Sequence, residues 1–171
     1  MKNNRKFIFL SLFSTLGIIL GLFESMIPIP IPLPGARLGL SNIVVLVTIV
    51  ILGPWEGIFV TVFKTVILML MTGAVSSFFF SLGGAILSSL GMILSYRYLS
   101  KYLSLIGISE IGAFLHHTGQ VLVASFFLQS TIIISYLPIL TILGLFTGYF
   151  VGLSSIFIIK NLKNSNILKD L

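Results

Sequence analysis

The sequence predicts an all-α membrane protein, a bundle of six transmembrane helices with both termini in the cytoplasm. Three observations lead there. Of the 171 residues, 57% are hydrophobic and 8% charged, and the mean hydropathy is +1.16; a water-soluble domain of this size could not carry that on its surface. The apolar residues fall into six runs, 7–27, 40–53, 55–73, 76–96, 109–129 and 136–159, separated by turn formers or charges. Lys2, Arg5, Lys6, Arg97, Lys101, Lys160, Lys163 and Lys169 gather at the two ends and between the fourth and fifth runs. An even number of spans puts all three clusters on one side, which the positive-inside rule makes cytoplasmic. A single integral domain, 1–171, is expected, with no soluble part and no internal repeat. The same clustering reads the net charge of +6 as topology rather than as a nucleic-acid-binding face.

The first run follows "KNNRK" as a secretory leader would. It has no A-x-A-like exit and is longer than a leader's apolar core, so it is read as a helix. At 100° per residue Ser11, Ser14, Gly17, Gly21 and Ser25 share one stripe, and small residues let helix backbones approach closely in lipid. In a terminal helix such a stripe can present itself to another subunit. Between the first and second runs lies "ESMIPIPIPLPGARLGLSN", residues 24–42. Pro28, Pro30, Pro32 and Pro34 exclude a helix there, since each lacks an N–H and biases its predecessor toward extended backbone. The expectation is a stiff external loop over 28–39, with Arg37 the one basic residue on that side.

The second run is short of the roughly 20 residues a span needs, so it begins earlier, tilts or lies partly below the surface. Lys64 stands about ten residues into the third run, about 15 Å deep at 1.5 Å per residue. A lysine there is unfavourable by a few kcal/mol (~3) and needs a partner, a wet cavity or a ligand; an ion pair with Glu24, near the outer end of the first helix, is the structural alternative. The fourth run repeats small residues at Ser77, Ser81, Gly84, Ser88, Gly91 and Ser95, and the sixth at Gly144, Gly148, Gly152 and Ser155, a pattern expected to pack inside the bundle. The fifth holds "FLHHTGQ", where His116 and Gln120 share a face at i, i+4 and Gln120 lies near the depth of Lys64. Two adjacent histidines do not point at one ion, so a polar lining or interhelical hydrogen bonding is expected there and no metal.

Several chemistries find no material. The chain has no cysteine, no G-x-x-x-x-G-K-[ST], no G-x-S-x-G and no H-E-x-x-H, and its one aspartate is Asp170. No enzymatic activity and no cofactor are expected, and any work against a gradient must be powered by partners or coupled ions.

"LGLFESMIPIPIPLPGARLGLSNIVVL", then "LGPWEG", a basic residue in the third helix and "HHTGQ" in the fifth resemble the Gx transporter family, whose members also go by component I of heptaprenyl diphosphate synthase. The similarity runs from about residue 12 to 155, and its most specific part is the proline loop followed by LGL-x-N. Where relatives commonly read A-H-N-x-G-Q the chain has Leu115, His116, His117, Thr118, Gly119 and Gln120, and Lys64 replaces an expected arginine, which offers a point charge instead of a bidentate fork. The family in turn resembles the substrate-binding S components of energy-coupling factor transporters. That resemblance implies a multi-pass protein of the bacterial cell membrane and a pocket facing outside under a lid formed by the first external loop. It also implies docking on a transmembrane T subunit that works with two ATPases, through small residues of the first helix, here Ser14, Gly17 and Gly21.

Helices two, four and six would point their positive N-terminal ends at that pocket, and Arg37, Ser41 and Asn42 add donors. An anionic, vitamin-like substrate is therefore expected, with a flavin (riboflavin, FMN or FAD) as the best candidate, bound by Glu24, Arg37, Asn42, Lys64, His116 and Gln120. The alternative implied by the family's other name is a noncatalytic membrane subunit of a prenyl diphosphate synthase, offering a lipid-facing groove to an isoprenoid.

Overall fold

The structure, a computed structural model, describes residues 2–27 and 36–165, and the proline run Pro28 to Pro34 lies outside the described residues. The helices are α1 (Lys2–Ser25), α2 (Asn42–Ile51), α3 (Pro54–Thr72), α4 (Val75–Leu99), α5 (Leu105–Phe127) and α6 (Leu137–Asn164), with a 3-10 turn over Thr131–Tyr136 ahead of α6. Four helical stretches are long and apolar enough to cross a membrane: Asn4–Ser25, Pro54–Thr72, Val75–Leu99 and Thr131–Asn164. The chain is a multi-pass membrane protein of the all-helical bundle class. Its helices start and stop within a few residues of the apolar runs; the largest differences are at the charged ends, where α1, α5 and α6 run on past the apolar segment because backbone pairing continues into the polar turns.

α2 explains the architecture. "NIVVLVTIVI" is apolar all round, as a helix surrounded by others must be, and Asn42, Val44, Val45, Leu46, Val47, Thr48 and Ile49 are all buried. It packs against α1, α3, α4 and α6, while α3, α4, α5 and α6 follow one another around it. At ten residues it is about 15 Å long, half a span. Ahead of it the irregular segment 36–41, ending in a turn at Leu40–Ser41, packs half-buried among α1, α5 and α6. Of the loop expected over 28–39, the described residues 36–39 pack against α1, α5 and α6.

Close approaches fix the other interfaces. A Cβ on Gly119 of α5 would come within 2.8 Å of the Gly83 oxygen and the Gly84 Cα of α4, backbone against backbone. Gly53 turns α2 into α3 with φ 126°, a conformation that favours glycine, and Pro54 opens α3, where its missing N–H is harmless. The small-residue stripes of α4 and α6 face α5: Gly84 lies against His116 and Gln120, Gly144 against His117, Gly148 against Glu110. Large apolar side chains instead cover the outside, among them Leu16, Ile19 and Phe23 of α1 and Leu145, Phe146 and Phe150 of α6, which is the lipid-facing surface.

The stripe on α1 also faces inward. Gly17 lies on Lys64, and a Cβ at Gly21 would come within 2.3 Å of Leu68 Cδ1; Ser14 is 3% exposed. Of Ser14, Gly17 and Gly21, expected to dock a T subunit, the two glycines admit α3 of the same chain.

Candidate functional site

Segment 36–41 can lie at membrane depth because other side chains satisfy its backbone, the condition for irregular structure there. Glu24, four residues beyond Leu20 on the inner face of α1 and 2% exposed, accepts from the Gly39 N–H at 2.5 Å and the Ser41 N–H at 3.4 Å. A carboxylate at the free N–H groups opening α2 is also favoured by the helix dipole. From α5, fully buried Gln120 makes a reciprocal pair with Arg37: the Arg37 N–H donates to Oε1 at 3.0 Å and Nε2 donates to the Arg37 carbonyl at 2.9 Å. From α6, Thr147 Oγ1 donates to the Leu38 carbonyl at 3.2 Å.

Lys64 of α3 reaches the same place. Its ammonium, 2% exposed, donates to Ser41 Oγ at 2.7 Å and Asn42 Oδ1 at 3.2 Å, and Asn42 Nδ2 in turn donates to Ser88 of α4 at 3.4 Å. Glu24 and Lys64 thus both hold the entry of α2, one through its N–H groups and one through its side chains. Arg37 and Lys64 outnumber the carboxylate of Glu24, so the cluster carries excess positive charge. Gly39, at φ 86°, sits so close that a Cβ would meet Asn42 Nδ2 at 3.1 Å and His116 Cδ2 at 3.2 Å.

Two small cavities flank the segment. One of about 10 Å³ is lined by Glu24, Arg37, Gly39, Ser41, Lys64 and His116, with Thr65 and Ser81 beside them. A second of about 10 Å³ lies beyond Gly39, against Asn42, Ser88, Ser109 and Thr147. Each has room for about one water. His116 lies against Gly84, where a Cβ would meet its Nδ1 at 3.1 Å, and among the described residues neither ring nitrogen of His116 nor of the fully buried His117 has a hydrogen-bond partner.

The six residues expected to bind substrate, Glu24, Arg37, Asn42, Lys64, His116 and Gln120, therefore meet at one mid-depth cluster. Sequence reasoning missed Ser88, Thr147 and Ser109 as part of it; the available signal was their place on the small-residue faces of α4, α5 and α6. Away from the cluster, a groove of about 570 Å³ opens between α1 and α3 toward the terminal face, lined by Phe7, Leu10, Ser14, Trp55, Phe59 and Phe63 among others, with the Lys6–Glu56 ion pair at its end.

No curated protein and no solved structure matches the chain. A family model does match, over residues 13–158, which covers α2 to α5, most of α6, the second half of α1 and every residue of the cluster. The chain belongs to the family described as heptaprenyl diphosphate synthase component I.

Proposed function

We propose that this protein is a noncatalytic substrate-binding subunit of a membrane transporter, of the S-component kind, and that the cluster around segment 36–41 is where its substrate binds. The observation that carries this reading is the gathering of buried Glu24, Lys64 and Gln120 with half-buried Arg37 around the irregular backbone of 36–41. Ionisable groups at the centre of a bilayer are unfavourable and mark substrate or ion paths. The excess positive charge favours an anionic or phosphorylated molecule, and a flavin joins such a charge to a flat ring of vitamin size.

Transport would use a T subunit and two ATPases in the bacterial cell membrane. With Ser14, Gly17 and Gly21 buried, the part of α1 open to a partner beside the α1–α3 groove is at Ser11 and Thr15. A second reading draws on that same groove and on the family's description: a membrane subunit beside a prenyl diphosphate synthase, holding an isoprenoid chain between α1 and α3.

Copurification from gently solubilised membranes, with mass spectrometry of protein partners and bound small molecules, separates the two. ATPases and a T subunit support the first reading. A prenyl synthase with an isoprenoid, and no transport subunits, overturns it in favour of the second.

A further inference from the structure

We infer that segment 36–41 stands where the ligand binds, and that the ligand carries a cyclic amide edge, an N–H beside a C=O, which Gln120 reads as it now reads the Arg37 backbone. This rests on the substrate-binding reading and adds a recognition rule to it.

Three observations lead here. The Gln120 carboxamide, fully buried, both accepts from and donates to one residue, at 3.0 and 2.9 Å. That is two-point amide pairing. The backbone offers its N–H and C=O across a Cα, whereas an amide within a ring is held cis and offers them on adjacent atoms, the spacing of the carboxamide itself. Open-chain trans amides point the two groups in opposite directions and cannot pair in this way.

Space gives the second observation. The cavities on either side of the segment hold about one water each, so no ring system fits beside it. Gly39 is the one residue that lines both, so withdrawal of the segment opens the wall that they share there.

The third is what withdrawal leaves behind. Glu24 loses the donors Gly39 and Ser41, Lys64 loses the acceptor Ser41 Oγ, Thr147 loses the acceptor Leu38, and Gln120 loses both halves of its pair. Each group is buried or partly buried, and an unmet buried polar group is unfavourable by about 1–3 kcal/mol. A ligand that replaces the segment must meet them with donors toward Glu24, acceptors toward Lys64 and Thr147 and an N–H/C=O pair toward Gln120. Beside these, the unpartnered His116 Nε2 lies within the same wall.

The chain has no cysteine, so Leu38→Cys creates a single labelling site on the segment, with Ala36→Cys as a second should the first fold poorly. The full chain in detergent is titrated with lumiflavin, whose ring carries an N–H between two carbonyls, with 3-methyl-lumiflavin, in which that N–H is blocked, and with FMN and inorganic phosphate. Ring fluorescence and the melting temperature report binding, and maleimide labelling reports withdrawal of the segment. Lumiflavin is expected to bind at least tenfold tighter than its 3-methyl form and to speed labelling at least tenfold, and Gln120→Met is expected to abolish the discrimination. Equal affinity for the two rings, or binding that leaves labelling unchanged, overturns the inference. Stabilisation by inorganic phosphate with no binding of either lumiflavin or FMN, which carries the same ring edge, overturns it while leaving the substrate-binding reading in place; no stabilisation by any of the probes counts against both.

Discussion

Replacing Lys64 with methionine keeps the length of the side chain and removes its charge. The ammonium makes one short bond, 2.7 Å to Ser41, and one longer, 3.2 Å to Asn42. Hydrogen bonds to a charged group are each worth about 1.5–3 kcal/mol, and the longer one belongs at or below the low end of that range. Against this loss stands a gain, since methionine spares the several kcal/mol (~3 or more) of burying a cation. What decides the sign is Glu24, which stays buried at 2% exposure with one of its cations gone. Removing one partner of a buried charge system destabilises by about 3–5 kcal/mol; Arg37 and the two N–H donors keep part of the compensation, so a loss of about 2–3 kcal/mol is expected for the ligand-free protein. The assay is thermal unfolding of the full chain in detergent for Lys64→Met, Glu24→Gln and the double variant. If the charges are coupled through the α2 entry, the double variant loses less than the two single losses added together. A Lys64→Met protein that melts like the wild type, or strictly additive losses, would refute the argument.

The α1–α3 contact makes a graded prediction: Gly21→Ala must displace Leu68, whose Cδ1 lies 2.3 Å from the new Cβ, whereas Gly17→Ala meets Lys64 Cδ at an ordinary 3.4 Å. Overpacking costs about 1–3 kcal/mol, so Gly21→Ala should melt clearly below the wild type and Gly17→Ala close to it; equal melting of both would show that the stripe is not an internal seam. The Lys6–Glu56 pair is part exposed, and pairs of that kind contribute about 1 kcal/mol or less. Lys6→Ala is therefore expected to leave the melting temperature nearly unchanged, and a large fall would point to a role for the pair in closing the groove beside it.

Much of the architecture is legible in the sequence because lipid makes it so. Spans show as apolar runs, and the all-apolar "NIVVLVTIVI" marks a helix with neighbours on every side. The depth of Lys64 and Gln120 can be counted along their helices, and both reach the same segment. Smallness says less: Ser14, Gly17 and Gly21 announce a close approach without naming the helix that makes it, and that helix is α3. The position of Arg37 was not readable at all. "PGARLG" has the look of an external loop, and what draws it inward is a set of long-range bonds from Glu24, Gln120 and Thr147, residues 13 to 110 positions away in the chain, none of which leaves a local pattern. His117 was equally hidden, for its burial depends on the missing side chain of Gly144 on another helix.

Because the same polar groups hold the segment and line the candidate site, a substitution there must be judged by local opening as well as global stability. Thr147→Val tests whether the two can be separated. Valine keeps the shape of threonine and removes the donor to the Leu38 carbonyl, a 3.2 Å bond, while the second bond of that hydroxyl, 3.3 Å to Gly144, lies within its own helix. The Gln120 and Glu24 contacts remain. Leaving one buried carbonyl unmet is unfavourable by about 1–3 kcal/mol. If the segment withdraws as a unit, that amount is removed from the opening free energy, and labelling of a cysteine at position 38 should rise by about tenfold or more, since 1.4 kcal/mol is a factor of ten. Global melting should fall as well, since the closed state itself is weakened, but by no more than the same increment. Local opening below the global limit is the property that a displaceable segment must have. Labelling of the Leu38→Cys protein without Thr147→Val that proceeds only at the rate of complete unfolding, with Thr147→Val moving both together, would show the segment to be a fixed part of the bundle and would remove it from any account of ligand entry.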